Sequence, residues 1–206
     1  MRVPLLFLVL LVATPTFAQP LATRLSRSVV MVEHKGGICT GFVVHSQKRN
    51  KDGESVDYVL TAAHCDGAEL YADQMPAVII HKDEKKDLMV LEVHDTDRPP
   101  LYVAKDNPAM GQLVMSYGYG YGLERPMLRV SHIADDDTYI PEDGIGGPLM
   151  ATDAAFVGGQ SGGPVVNEAG EVVMMVQRGS SVVGLGVGAE VIRSKVGRYL
   201  ERKPQP

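Results

Sequence analysis

The stretch VGGQSGGPVV, residues 157 to 166, places a single serine, Ser161, among four glycines in a chain that is otherwise well supplied with valine and leucine. Small neighbours let a backbone turn sharply and expose a hydroxyl, and GQSGG fits G-x-S-x-G, the nucleophile elbow of α/β-hydrolases. A glycine-serine turn without any chemistry is the commoner explanation of so short a pattern. The surrounding sequence has to decide between these two interpretations.

The order of residues along the chain excludes the α/β-hydrolase interpretation. Enzymes of that fold place the acid and then the histidine after the serine. This sequence has no histidine and no aspartate after Ser161. Any histidine that serves Ser161 must therefore precede it, which is the order found in chymotrypsin-like and subtilisin-like sites.

His64 and Asp87 are the candidate partners of Ser161. The segment YVLTAAHC places His64 just after an apolar strand, where the scaffold can hold a side chain at a cleft. Asp87 begins DLMVLEV directly after a charged loop, and a carboxylate at such a junction can be drawn inward to orient an imidazole. Alone, each has a simpler explanation, as a strand-end histidine or a turn residue. Together with Ser161 they predict a catalytic triad.

Short apolar segments broken by Gly, Pro, Asn and Asp recur about every ten residues, which favours an antiparallel all-β barrel or sandwich. A boundary near residue 107 divides them into two sets, and only residues 189–203 predict a helix. The mixed-charge run HKDEKKD, residues 81–87, is interpreted as a solvated loop. The predicted strands are centred on VVMVEH, CTGFVVHS, DYVLTA, AVIIHK, DLMVLEVH, LVMSYG, MLRVSHI, PLMATD, PVVNE, EVVMMVQ and VVGLGVG.

Residues 1–18 predict a removable secretion signal. Arg2 precedes an apolar run that ends at Ala13, and small residues lead to a cleavage position near Ala18. The apolar run is too short to span a bilayer, so we expect a secreted or periplasmic protein with no stable membrane association after cleavage. An uncleaved membrane anchor is the alternative. The remaining 188 of the 206 residues suit one compact body or two small lobes.

Charge, histidine and cysteine usage narrow the choice of partners. Removing Arg2 changes the net charge from −5 to −6, and neither sign forms a long run, so no nucleic-acid partner is expected. The six histidines are scattered and no CxxC or HExxH motif occurs, so we expect no metal site. In an exported chain the two cysteines, Cys39 and Cys65, are more often paired than free.

In this order, TAAHC, DLMVLEV and GGQSGGPVVN resemble the three catalytic blocks of the chymotrypsin-like serine proteases, and most closely those of the HtrA/Deg branch. The similarity continues through CTGFVV and GQLVMSYGYGYGL, so it covers nearly the whole mature chain. It implies a trypsin-like protease domain over residues 19–206 with two six-stranded antiparallel β-barrels and a C-terminal helix. The first barrel would span about 25–106, the second about 107–190 and the helix about 190–203.

The resemblance also assigns roles to individual residues. His64 and Asp87 from the first barrel would meet the nucleophile Ser161 of the second barrel in the cleft between them. The backbone N–H groups of Gly159 and Ser161 would form the oxyanion hole. Cysteines that match Cys39 and Cys65 are bridged beside the histidine in many chymotrypsin-like enzymes. No cofactor would be required, and the substrates would be proteins or peptides.

Departures from the family pattern bear on activation and specificity. Gln160 stands where digestive relatives carry an aspartate, so activation by a salt bridge to a new amino terminus is not expected. Ala155 stands where trypsin carries the acid of its specificity pocket. We therefore expect a preference for small or medium apolar residues before the scissile bond, with Ala155, Phe156 and Gln177 near the pocket.

Other features leave alternatives open. The chain ends at its predicted helix, without room for the PDZ module of HtrA enzymes, so the oligomeric state is not predicted. The run YGYGYG, residues 117–122, could stack a ligand, although a loop entering the second barrel is the simpler interpretation. A catalytically inactive, protease-like binding protein and an esterase are the alternatives to an endopeptidase.

Overall fold

The structure is a computed structural model that describes residues 21–48, 55–138 and 148–201. Its strands form two closed, six-stranded antiparallel β-barrels, which confirms the predicted fold. The predicted secretion signal, residues 1–18, lies outside the described residues.

The strands of both barrels lie close to the predicted apolar segments. The first barrel comprises β1 (Val29–His34), β2 (Gly37–Lys48), β3 (Ser55–Thr61), β4 (Tyr71–Ala72), β5 (Met75–Asp83) and β6 (Leu88–His94). The second comprises β7 (Leu113–Gly118), β8 (Met127–Thr138), β9 (Leu149–Thr152), β10 (Pro164–Val166), β11 (Val172–Gly179) and β12 (Gly184–Gly188). In the first barrel the strand order is β1-β2-β3-β6-β5-β4, and in the second it is β10-β11-β12-β9-β8-β7.

Burial along the strands explains why the two barrels pack together. Strand β7 alternates between half-buried and fully buried residues, as expected for a strand with one face toward a core. Strands β6 and β11 are buried almost throughout, and their uninterrupted apolar sequences match this burial. One apolar cluster contains residues of both barrels, from Val30 in the first to Val176 in the second. This shared core fixes the position of one barrel against the other.

Three elements differ from the sequence prediction. Helix α1 (Leu21–Ser28) precedes the first barrel and was not predicted. The two-residue strand β4 was also missed, although it closes the first barrel by pairing with β1. The C-terminal helix α2 is shorter than predicted, because it spans Ala189–Val196 and passes into a 3-10 turn at Gly197–Tyr199. Glycine is a poor helix former, which accounts for the change at this position.

The segment that links the barrels, residues 95–112, is tied to both of them. Leu101 donates its N–H to Val43 of the first barrel, and Ala104 donates to Val172 of the second. The predicted boundary near residue 107 falls inside this segment. Among the described residues, no helix combines the length and the apolar character that a membrane crossing requires.

Candidate active site

His64 lies on a 3-10 turn, Ala63–Cys65, that follows strand β3 at the end of the first barrel. The neighbouring Cys65 forms a disulfide with Cys39 on strand β2, with Cα atoms 6.2 Å apart. The turn is therefore fixed on both sides of the imidazole, by a strand and by a covalent bond. The imidazole itself is half exposed, with 48% of its side-chain surface accessible.

Asp87 lies beneath this imidazole and is almost completely buried, with 4% of its side-chain surface accessible. One carboxylate oxygen accepts the backbone N–H of His64 at 2.8 Å, and the other lies 2.8 Å from Nδ1. Because a carboxylate only accepts hydrogen bonds, Nδ1 carries the proton and Nε2 is left as an acceptor. This arrangement holds the histidine in the form that a general base needs.

Strand β11 of the second barrel covers the other side of Asp87. The buried Gln177 donates from Nε2 to the carbonyl of Lys86 at 2.6 Å and to that of Asp87 at 3.5 Å. Asp87 adopts the left-handed backbone conformation, φ 50°, which aspartate tolerates better than most residues. The conformation of Asp87 is thus supported by hydrogen bonds from the opposite barrel.

Ser161 lies in residues 157–163, here called the serine loop, where glycines allow close approach to the first barrel. Gly159 has φ 96°, and a Cβ there would lie 2.6 Å from the carbonyl oxygen of Tyr119. Gly162 has φ 82°, and a Cβ there would collide with the carbonyl oxygen of Thr40. A side chain is therefore excluded at both glycines by backbone atoms and by conformation.

In the serine loop the N–H groups of Gly158, Gly159 and Ser161 have no acceptor among the described residues, and the predicted oxyanion donors are those of Gly159 and Ser161. The carbonyls of the same peptide groups, Gly158 and Gln160, each accept a backbone N–H at 2.9 Å. In a trans peptide the N–H points opposite to the carbonyl, so holding these carbonyls also fixes the two free donors. Such a pair of organised donors is what a developing oxyanion requires.

The hydroxyl of Ser161 donates to the backbone carbonyl of Gln177 at 3.1 Å. Within the described part of the chain, it forms no hydrogen bond with His64. Both side chains nevertheless line the same cleft. The nucleophile candidate therefore shares the cleft with the histidine, but its hydroxyl is engaged with strand β11.

The cleft has a volume of about 660 Å³ and opens between the two barrels. Of the predicted pocket residues, Phe156 and Gln177 line it, whereas Ala155 is not among its lining residues. Phe156 is buried, and a Cβ at Gly184 would collide with its ring. The cleft is lined by Ala63, His64, Lys82, Glu84, Asp87, Phe156, Val157, Gly158, Ser161, Val176, Gln177, Arg178 and Gly179.

Lys82 and Glu84 were not predicted as site residues, because their segment was interpreted as a solvated loop. The start of this run, residues 81–82, was also predicted as the end of the strand AVIIHK, and strand β5 includes both residues and extends to Asp83. Lys82 forms hydrogen bonds of 2.9 Å with Asp66 and with Glu84. The hydrogen bond with Asp66, followed by that with Glu84, raises the pKa of Lys82 above its ordinary value. One wall of the cleft is therefore charged.

One group of potential metal ligands, Cys39, His64 and Cys65, occurs among the described residues. The two sulfur atoms are joined in the disulfide, so neither can act as a thiolate ligand. The ring Nδ1 of His64 is already bonded to Asp87. The disulfide and the contact with Asp87 therefore hold the histidine in position.

The sequence model of the trypsin-like peptidase domain matches residues 39–175, a span that includes His64, Asp87 and Ser161. The chain belongs to the trypsin-like peptidase family. Curated relatives include probable periplasmic DegP-like serine endoproteases of Hahella chejuensis, 32% identical over 142 residues, and of Pseudomonas savastanoi, 30% identical over 129 residues. These alignments cover 65% and 56% of this chain, but only 28% and 26% of the relatives. The chain thus aligns with little more than a quarter of their length.

Solved structures of two proteases agree with the architecture. The Rv3671c protease in its inactive form superimposes with a TM-score of 0.70 at 23% identity, covering 87% of this chain and 92% of that one. The HtrA-type protease AlgW with a tripeptide gives a TM-score of 0.73 at 18% identity, covering 88% of this chain and 62% of that one. At these identities the likeness supports the fold alone.

Proposed function

We propose that this protein is a serine endopeptidase that hydrolyses peptide bonds through Ser161, His64 and Asp87. One observation carries the proposal: the buried carboxylate of Asp87 orients His64 at 2.8 Å, in the cleft that Ser161 also lines. Family membership and the names of the DegP-like relatives support the same activity. Peptides and proteins are the substrate class that this activity implies.

The reaction begins when the Ser161 hydroxyl leaves the carbonyl of Gln177 and turns toward Nε2 of His64. As the serine oxygen attacks the peptide carbonyl, its proton passes to Nε2. Asp87 stabilises the resulting imidazolium through Nδ1–H. The carbonyl oxygen becomes an oxyanion, which the N–H groups of Gly159 and Ser161 stabilise.

The second half of the reaction releases the products. The imidazolium of His64 donates its proton to the leaving amine, and the peptide bond breaks to leave an acyl ester on Ser161. Water then attacks the ester, with His64 again accepting a proton, and the serine hydroxyl is restored. All proton transfers use side chains of this chain, so the proposed reaction requires no cofactor.

Phe156 supports a preference for small or medium apolar residues before the scissile bond. Its ring packs against Gly184, and its backbone and Cβ lie within 3 Å of where a Cβ at Gly179 would be. The part of the cleft between the serine loop and strand β11 is therefore partly filled by the protein itself. Ala155 stands where trypsin carries the acid of its specificity pocket, and alanine has no carboxylate to favour cleavage after arginine or lysine.

We place the protein in the periplasm or outside the cell. The predicted secretion signal, the disulfide and the periplasmic assignment in the names of the relatives support this localisation. An exported endopeptidase would meet protein substrates rather than nucleic acids, and its mature form would have no stable membrane association.

A fluorophosphonate probe tests the proposed function with Ser161→Ala as the matched variant. We expect the wild-type protein to be labelled and to release peptides from casein, and Ser161→Ala to do neither. No labelling of either protein would overturn the proposal in favour of a non-catalytic binding protein. Proteolysis that survives in Ser161→Ala would show that Ser161 is not the nucleophile. Cleavage of short-chain esters without casein digestion would favour an esterase.

A further inference from the structure

Thr40, on strand β2 of the first barrel, holds the serine loop of the second barrel with two hydrogen bonds. Its N–H donates to the carbonyl of Ser161 at 2.8 Å, and its hydroxyl donates to the carbonyl of Gly159 at 2.8 Å. Thr40 is fully buried, so water does not compete for these carbonyls. Among the described residues, the Gly159 carbonyl accepts a side-chain hydroxyl, whereas the neighbouring carbonyls of Gly158 and Gln160 accept backbone N–H groups.

The direction of the Thr40 hydroxyl proton is fixed by a third hydrogen bond. Its oxygen accepts the N–H of Tyr119 at 2.9 Å, which leaves the proton free to point at Gly159. Tyr119 belongs to the YGYGYG run, and a Cβ at Gly118 would lie 2.9 Å from the threonine oxygen. The small residue in this run therefore lets a strand of the second barrel approach Thr40 closely.

The peptide group between Gly159 and Gln160 lies between the two proposed oxyanion donors, the N–H groups of Gly159 and Ser161. Gly159 has φ 96° and no Cβ, so its own backbone does little to restrain that peptide group. The N–H of this peptide group donates to the carbonyl of Val157 at 3.1 Å, and the hydrogen bond from Thr40 to the Gly159 carbonyl restrains its other side. We propose that the Thr40 hydroxyl is a positioning group that orients the oxyanion hole from the opposite barrel.

This role rests on the proposed function, and it predicts a specific kinetic effect. Thr40→Val keeps the shape of the side chain but removes the hydroxyl, whereas Thr40→Ser keeps the hydroxyl. We expect Thr40→Val to lower kcat about 10- to 100-fold, somewhat less than the loss of a whole oxyanion donor. KM should stay within about twofold, because the lost interaction acts mainly in the transition state. Thr40→Ser should retain kcat within about threefold.

Two further variants separate positioning from general stability. Thr152→Val removes an equally buried hydroxyl, which bonds to the carbonyl of Ala154 at 3.2 Å in the second barrel. It should lower the melting temperature without lowering kcat. Thr40→Ala gives a second measurement if Thr40→Val does not fold, because it removes the hydroxyl without placing a methyl group against Gly159. Folding is checked by near-ultraviolet circular dichroism before kinetics.

The experiment measures kcat, KM, the pH profile of kcat/KM and fluorophosphonate labelling for all these variants. Loss of kcat in Thr40→Val or Thr40→Ala, rescue in Thr40→Ser and an unchanged pH profile support the proposal. Wild-type kcat in folded Thr40→Val, or an equal loss in Thr40→Ser, overturns it and leaves the proposed function intact. An unlabelled, inactive wild-type protein overturns both.

Discussion

The protein contains two histidine–aspartate pairs with the same hydrogen-bond pattern, one in each barrel. In each pair, one carboxylate oxygen accepts the backbone N–H of the histidine and the other faces its Nδ1. The distances are 2.8 and 2.8 Å for His64 and Asp87, and 2.7 and 3.1 Å for His132 and Asp153. The two histidines are also similarly exposed, at 48% and 54%.

The pairs differ in the burial of the aspartate. The side chain of Asp87 is 4% exposed, whereas that of Asp153 is 52% exposed. Gln177 of the opposite barrel donates to the backbone carbonyls of Lys86 and Asp87, and Asp87 lines the same cleft as Ser161. Interactions between charges are stronger away from water, so burial makes the Asp87 pair more effective in stabilising an imidazolium. Local hydrogen bonding alone thus does not distinguish the candidate catalytic pair.

The largest expected effect comes from neutralising each aspartate in turn. In Asp87→Asn, if the amide oxygen keeps the backbone N–H of His64, the amide NH2 faces Nδ1. The ring proton then moves to Nε2, where it prevents acceptance of the serine proton, so we expect kcat/KM to fall about 10⁴-fold. The kcat/KM of Asp153→Asn should stay within about twofold of the wild-type value, because neither His132 nor Asp153 is among the residues that line the cleft.

This measurement uses initial rates of hydrolysis of a chromogenic peptide whose sequence matches the wild-type cleavage preference. Equal losses in the two variants would contradict the distinction between the pairs. Retention of more than about a tenth of the activity in Asp87→Asn would contradict the role given to Asp87, since the expected loss is far larger.

An intermediate effect is expected from the disulfide, which supports only the first pair. Cys39 and Cys65 are 26 positions apart, and closing a loop of that length is worth about 3–4 kcal/mol. We expect Cys39→Ala/Cys65→Ala to lower the free energy of unfolding by about that amount. Activity should fall less than in Asp87→Asn, because the carboxylate still accepts the N–H of His64.

Urea denaturation and peptide hydrolysis are compared for this double variant, and for wild-type protein with and without a thiol reductant. Unchanged stability in both comparisons would show that the 3-10 turn at His64 does not depend on the covalent link. The pair at His132 needs no such link, because strand β8 places it in a regular pairing with β7.

The sequence predicted those features that depend on repeated or ordered patterns. Short apolar segments that recur about every ten residues marked the strands, and the resemblance of TAAHC, DLMVLEV and GGQSGGPVVN, in this order, to the catalytic blocks of a known family implied the chymotrypsin-like fold. The two-residue strand β4 and the helix α1, which makes only about two turns, were missed because each contains too few residues to establish a periodicity. The helix at the C terminus was predicted too long, since the pattern of apolar residues continues beyond Gly197.

Contacts between distant segments of the chain were not predictable from a single sequence. Thr40 and Gly159 are 119 positions apart, and only the folded barrels bring the hydroxyl to the carbonyl. Lys82 lines the cleft, but it was not predicted there because it lies in a charged run typical of solvent-exposed loops. The engagement of the Ser161 hydroxyl with Gln177 is a choice of rotamer, which carries no signal in the sequence.

The smallest expected effect concerns the stability contributed by the exposed pair. The backbone N–H of His132, and then its side chain, lower the pKa of Asp153 below its ordinary value. A lowered carboxylate pKa stabilises the folded protein at pH values above the unfolded-state pKa of about 3.9, and this contribution disappears as the pH falls through the folded-state pKa. Because the pair is half exposed, we expect Asp153→Asn to cost less than about 1 kcal/mol at pH 7. Thermal unfolding should show melting curves that differ by about 1–3 °C at pH 7 and converge as the pH falls below the folded-state pKa. A difference in melting temperature that persists in acid would show that the loss of stability comes from the shape of the side chain rather than from its charge.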